Sequence, residues 1–130
     1  MAIHGKPLRL DNKMIWYSFQ ADSSVLPQQF VQLASSGSSV EIHSSGTVIG
    51  LCLSVETTEG TQERVAKIYT AGGSGQLAVL SSNWDGAPSR FEVVDSKVSP
   101  VSTGGIGWLI PEFPQAAKVA GDQVRVAIYG

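Results

Sequence analysis

Gly46-Thr47-Val48-Ile49-Gly50-Leu51-Cys52-Leu53-Ser54-Val55-Glu56 alternates without interruption. Thr47, Ile49, Leu51, Leu53 and Val55 fall on one face, and Val48, Gly50, Cys52 and Ser54 on the other. A period of two puts successive side chains on opposite faces of a strand. Working outward, Glu59-Gly60 supplies a turn before a second strand over Glu63 to Thr70. Upstream, Ser44-Ser45-Gly46 and Ser35-Ser36-Gly37-Ser38-Ser39 bracket the short apolar runs Val40 to His43 and Phe30 to Ala34. Ser and Gly in such clusters punctuate strands as turn residues, so the Ser-rich segment reads as a turn within one domain and not as a flexible linker.

The same rhythm extends over the chain. Further strands are expected over Met14 to Gln20, Gln76 to Ser81, Arg90 to Val94, Ile106 to Ile110 and Gln123 to Tyr129. Ala71-Gly72-Gly73-Ser74-Gly75, Asn83-Trp84-Asp85-Gly86, Thr103-Gly104-Gly105 and Ala120-Gly121-Asp122 are read as the turns between them. The last strand again alternates, Val124, Val126 and Ile128 against Arg125, Ala127 and Tyr129. Pro111-Glu112-Phe113-Pro114 cannot occupy a central strand and is assigned to a rim or extended arm, with a short helical turn expected over Gln115 to Ala120. Helical periodicity is otherwise absent, because Gly, Pro, Ser and β-branched residues break every window of helix length. The expected fold is mainly β: a small β-barrel or β-sandwich of short antiparallel strands with an extended N-terminal arm. Residues 1–20 form that arm or an edge strand, and residues 21–130 a single β domain.

Composition agrees with one domain. The chain has 130 residues, 42% hydrophobic, enough to bury a core without metal or disulfide staples. Charged residues make up only 15%, against about 25% in an average soluble domain, while 14 glycines and 17 serines give a neutral, hydroxyl-rich surface. The charge is unevenly placed. Lys6, Arg9 and Lys13 outweigh Asp11 in the first twenty residues, whereas Asp22, Glu41, Glu56, Glu59 and Glu63 stand without a base between 21 and 63. A formal net charge of −2 with no basic stripe makes nucleic acid an unexpected partner. One cysteine cannot close an intrachain disulfide, no apolar run of signal-peptide length follows Met1, and no stretch approaches 18 apolar residues. These features lead to the expectation of a protein made and kept in the cytosol, with no membrane span.

Catalytic chemistry has little to stand on. General acid–base work needs a titratable pair in a pocket, and nucleophilic catalysis needs a nucleophile beside a base. His4 lies near the terminus and His43 beside a turn; with Cys52 they do not make metal-ligand spacing. Cys52 reads as a small buried hydrophobe. Glu56, Glu59 and Glu63 surround a hairpin loop without a calcium-loop pattern. Gly72-Gly73-Ser74-Gly75 and Gly104-Gly105-Ile106-Gly107 precede neither Lys-Ser/Thr nor a helix, so both are read as turns and not phosphate loops. No enzyme, cofactor or metal is expected.

What remains is apolar surface. Met14-Ile15-Trp16-Tyr17-Ser18-Phe19 carries bulk on both strand faces, so this strand is either buried on both sides or meets another chain. Trp84, in a turn sequence, is either folded back onto the core or displayed; Trp108, flanked by Gly107 and Leu109, is placed in the core. Phe113, between two prolines, is an exposed anchor whose docking loses little entropy. The candidate partner-binding residues are Ile15, Trp16, Tyr17, Phe19, Trp84 and Phe113.

A short, weakly charged, β-rich chain of this kind resembles the capsid decoration (cement) proteins of tailed bacteriophages. The pattern is carried by Gly46 to Glu56, with its mid-strand glycine, and by the ending Ala120-Gly-Asp-Gln-Val-Arg-Val-Ala-Ile-Tyr129, so it spans roughly residues 46 to 129. The aromatic segment 14–19 departs from the Ala/Pro/Thr-rich arms of the lambda-like members. The resemblance implies a compact β fold and a virion location on the capsid exterior. The implied partners are the major capsid protein and a homo-oligomer, expected to be a trimer, with an N-terminal arm that orders on the shell. The alternative reading is a carbohydrate-binding module that uses Trp84 as a sugar platform.

Overall fold

A computed structural model describes residues 13–129; the segment 1–12, most of the expected arm, lies outside the described residues. Nine strands follow in order: β1 (Ile15–Gln20), β2 (Phe30–Leu33), β3 (Val40–Ile42), β4 (Val48–Thr57), β5 (Arg64–Val79), β6 (Ser89–Val94), β7 (Lys97–Val101), β8 (Gly107–Ile110) and β9 (Gln123–Ile128). All strand pairings are antiparallel, and among the described residues there is no helix. The fold is mainly β, but neither half of the sheet closes into a full barrel.

Three expectations about elements are corrected. The glycines at 72, 73 and 75 do not end a strand: β5 runs through them, and their positive φ values of 79°, 78° and 126° form an irregularity where the ladder skips between Gly72 and Gln76. Glycine lets the chain bend there without breaking its pairing, so β5 exchanges β1 and β4 for β9 as neighbours. β7 is an addition, joined to β6 by Asp95-Ser96, both at positive φ (47° and 71°), a tight hairpin made without glycine. Its Pro100 is tolerated because β7 is the terminal strand of the order. Gln115 to Ala120 is irregular and not helical.

The long β5 divides the sheet into halves of the same design. The first half has the order β1-β5-β4-β2-β3 and the second β5-β9-β8-β6-β7, which is the same order of first, fifth, fourth, second and third strand. In each, the residue after the first strand makes a parallel bridge to the third, Ala21 to Val40 and Leu80 to Val98. The flanking hydrogen bonds repeat as well: Ala21 N–H donates to Arg64 O and Leu80 N–H to Asp122 O, both at 3.0 Å. Each half therefore curls until its end strands touch at one point.

The interiors correspond residue by residue along these ladders. Phe19, Ala21, Val31, Val40, Cys52, Ala66 and Ile68 pack in the first half, and Ala78, Leu80, Phe91, Val98, Leu109, Val124 and Val126 hold the equivalent positions in the second. Gly50 pairs with Val31, and Gly107 with Phe91. At both glycines an added Cβ would come inside 3.0 Å of a neighbouring strand's carbonyl oxygen, that of Tyr69 or of Ala127. The adjacent last strand of each half, β5 or β9, thus approaches too closely for any side chain at these two positions, which accounts for both glycines.

The outer faces do not correspond. In the first half Phe30, Leu51 and Tyr69 point away from their own interior and are fully buried in the second half's core; the Phe30 and Phe91 rings lie 5.9 Å apart. Tyr69 Oη accepts from Ile128 N–H at 2.8 Å and donates to Gly72 O. Polar contacts complete this seam: Phe30 N–H donates to Ser96 O at 2.8 Å and Ser96 Oγ to Gln29 Oε1 at 2.7 Å. His43 is buried here, with Nε2 2.9 Å from Gly46 O and Nδ1 facing Ser96 N–H.

Candidate functional site

Two surfaces stand out. The first is β1. It pairs with β5 alone among the named strands, leaving its other backbone edge unpaired from Ile15 to Gln20 among the described residues. Its side chains are apolar and accessible, Ile15 at 47%, Trp16 at 43% and Tyr17 at 56%. Trp16 faces one way, under the Lys67 ammonium at 4.2 Å from the ring centroid; Tyr17 and Phe19 face the other, their rings 6.4 Å apart. Phe19 is half-buried in the first half's interior and serves as a root more than a contact. An apolar strand with a free edge is what natural proteins normally blunt with charge, proline or a covering segment.

The second surface lies on the outer face of the second half. Trp108 is exposed, which corrects its assignment to the core: Gly107 and Leu109 are the inward residues of β8, so Trp108 between them points out. The Arg90 guanidinium lies 5.3 Å from its ring centroid, and Tyr129 meets it edge-on at 5.9 Å. Beside it runs a groove of about 690 Å³ lined by Asn83, Asp85, Ser89, Arg90, Ser102 and the two indoles of Trp84 and Trp108.

Trp84 is not displayed. Only 5% of it is exposed, and its Nε1–H donates to Ala87 O at 2.9 Å. A pair of backbone bonds to Lys118, 2.9 and 2.8 Å, holds the turn so that the ring drops onto the second half's core. Phe113 is the most accessible large hydrophobic side chain among the described residues, at 93%, on the irregular segment between β8 and β9. The structure thus gathers Ile15, Trp16, Tyr17 and Phe19 on one strand and leaves Trp84 and Phe113 apart from them. Trp108 is the residue that sequence reasoning missed; its phase between two inward neighbours is the signal that would have found it.

Reactive chemistry is sparse. Among the described residues no three His, Cys, Asp or Glu side chains come together to hold a metal ion. Cys52 is buried, and its burial pushes the thiol up to about 11, against a backbone hydrogen bond from Ser54 and the charge of Arg64, which act the other way. Such a thiol is protonated and unreactive at neutral pH. Tyr69 is likewise raised by burial, opposed by its bond from the Ile128 amide. No helix among the described residues is long and apolar enough to cross a membrane. No protein-family model and no curated protein matches this chain.

Proposed function

We propose that this is a non-enzymatic structural protein of a tailed-phage virion that binds the outer capsid surface and stabilises the shell as an oligomer, a trimer. The observation that carries the reading is β1: a strand edge that is unpaired among the described residues and bears Ile15, Trp16 and Tyr17. A partner strand added to that edge gains main-chain hydrogen bonds, and the alternating aromatics give it specificity on both faces. Each contact is modest, but a shell repeats its site many times, so stabilisation accumulates over the surface. Low charge suits a protein that must sit densely beside copies of itself. The test uses mature shells of the virus that encodes the chain. Purified protein sediments with them, and virions lacking it lose resistance to heat and chelators; absence of both effects rejects the role.

A second reading, carbohydrate binding, is favoured by the groove beside Trp108, where an accessible indole meets Arg90, Asn83 and Asp85. Trp84 contributes only an edge to that groove, so the sugar platform would be Trp108. Glycan-array binding that Trp108→Ala abolishes and Trp84→Phe preserves supports this alternative; an array without Trp108-dependent signal removes it.

A further inference from the structure

The repeat within the chain identifies an occupant for the Trp108 face. Phe30, Leu51 and Tyr69 are ladder neighbours on the outer face of the first half, and the second half covers all three completely. Their ladder equivalents in the second half are Arg90, Trp108 and Ala127. Nothing among the described residues covers Trp108 as Leu51 is covered: Trp108 remains 45% exposed, with Tyr129 at 41% beside it.

The receiving side repeats too. In the second half, the β6–β7 turn receives the first half through Ser96, which is 3% exposed and whose carbonyl accepts from Phe30 N–H, and Val93 nearby packs against the core that Phe30, Leu51 and Tyr69 enter. Val93 pairs with Val98, as Leu33 pairs with Val40, so Leu33 and the Ser35–Ser38 turn are the equivalents in the first half. There the apolar side chain is bare: Leu33 is 56% exposed, on a strand otherwise buried. One chain therefore carries an unfilled copy of each side of its own internal seam.

We infer that the outer face around Trp108 docks on the Leu33 end of a second copy of this chain, continuing the seam between the halves from molecule to molecule. The contact is head-to-tail, and such contacts close into rings or run on as filaments. A closed ring supplies the self-contact that the shell reading needs. The inference goes beyond that reading and stands without it, since the following experiment contains no shells.

Sedimentation velocity of the full chain and two variants, Trp108→Glu and Leu33→Glu, tests the inference. Both positions are about half exposed, so the monomer keeps its fold, checked by circular dichroism and melting. The milder pair Trp108→Ser and Leu33→Ser repeats the test. The wild-type chain self-associates with rising concentration, and each variant sediments as a monomer. An equimolar mixture of Trp108→Glu and Leu33→Glu forms a one-to-one dimer, because one partner keeps the face and the other keeps the end. A wild-type chain that stays monomeric up to its solubility limit overturns the inference, whether a glycan or residues 1–12 then occupy the face. Variants that fail to combine overturn it as well, as does Leu33→Glu assembling like wild type, which would mean that the Trp108 face packs on itself.

Discussion

Leu51 and Trp108 sit at the same place in two copies of one design and meet opposite fates. Both follow a glycine that a neighbouring carbonyl approaches, both pair with the last strand of their half, and both point away from their own interior. Leu51 is fully buried by the other half, whereas Trp108 faces outward with Arg90 and Tyr129 around it. Topology alone therefore does not decide whether a face becomes core or surface; what packs against it decides it. The first half's outer face is covered by the second half, and nothing among the described residues covers the second half's in that way.

The shared part of the design gives the largest expected effect. Gly50→Ala and Gly107→Ala each drive a methyl into a backbone carbonyl that cannot step aside, so each costs about 3 kcal/mol or more and abolishes cooperative folding in the worse case. Urea melts of the two variants check this, and loss at only one site would break the equivalence of the halves. Next, Leu51→Ala opens a cavity at the seam and costs about 2–5 kcal/mol. Trp108→Ala costs under about 1 kcal/mol, since it removes only an exposed ring and its cation. Equal losses at these two positions would contradict the contrast drawn above.

An effect smaller than at Leu51 but larger than at Trp108 is expected at Tyr69, whose counterpart Ala127 has no hydroxyl. Tyr69→Phe leaves the Ile128 amide unpaired in a buried site and costs about 1–3 kcal/mol. A further effect is pH-dependent. The Cys52 thiol ionises near 9.0 when unfolded and at about 11 when folded. Below pH 9 both states hold the proton; between 9 and 11 only the folded state does, so stability falls over that window as pH rises. Melting of Cys52→Ala, measured from pH 8 to 11, lacks this part of the decline. Any loss shared with wild type then belongs to groups such as Tyr69, also raised by burial.

Much of this architecture is legible in the sequence where the signal is local. The segment Thr47 to Val55 does become β4, and the Ser and Gly clusters around it do separate strands. Its alternation, however, slips at irregularities beside Ile49 and between Cys52 and Ser54, so Ile49 and Val55 pack in the first half's interior while Leu51 and Leu53 pack in the other core. Reading fails where one residue type serves two purposes. Glycines 72, 73 and 75 look like a turn, because positive φ serves a turn and a bulge equally well. Asp95-Ser96 is a tight turn without the glycine that usually marks one. Trp84 resembles a displayed turn residue until the bonds to Ala87 and Lys118 fold it inward, and these are contacts across the chain. The repeat left one faint trace, Ile49-Gly50 against Ile106-Gly107, too short to be noticed without the ladders that align them.

In the proposed function and the inference beside it, two surfaces have two tasks: β1 would dock on the shell, and the Trp108 face would join copies of the chain. The most direct test is cosedimentation of the Trp16→Ser/Tyr17→Ser double variant with mature shells of the encoding virus, with its oligomeric state followed in the same samples. The account predicts that shell binding is lost while the oligomer persists. Undiminished shell binding, or an oligomer that dissociates when β1 alone is altered, would contradict it.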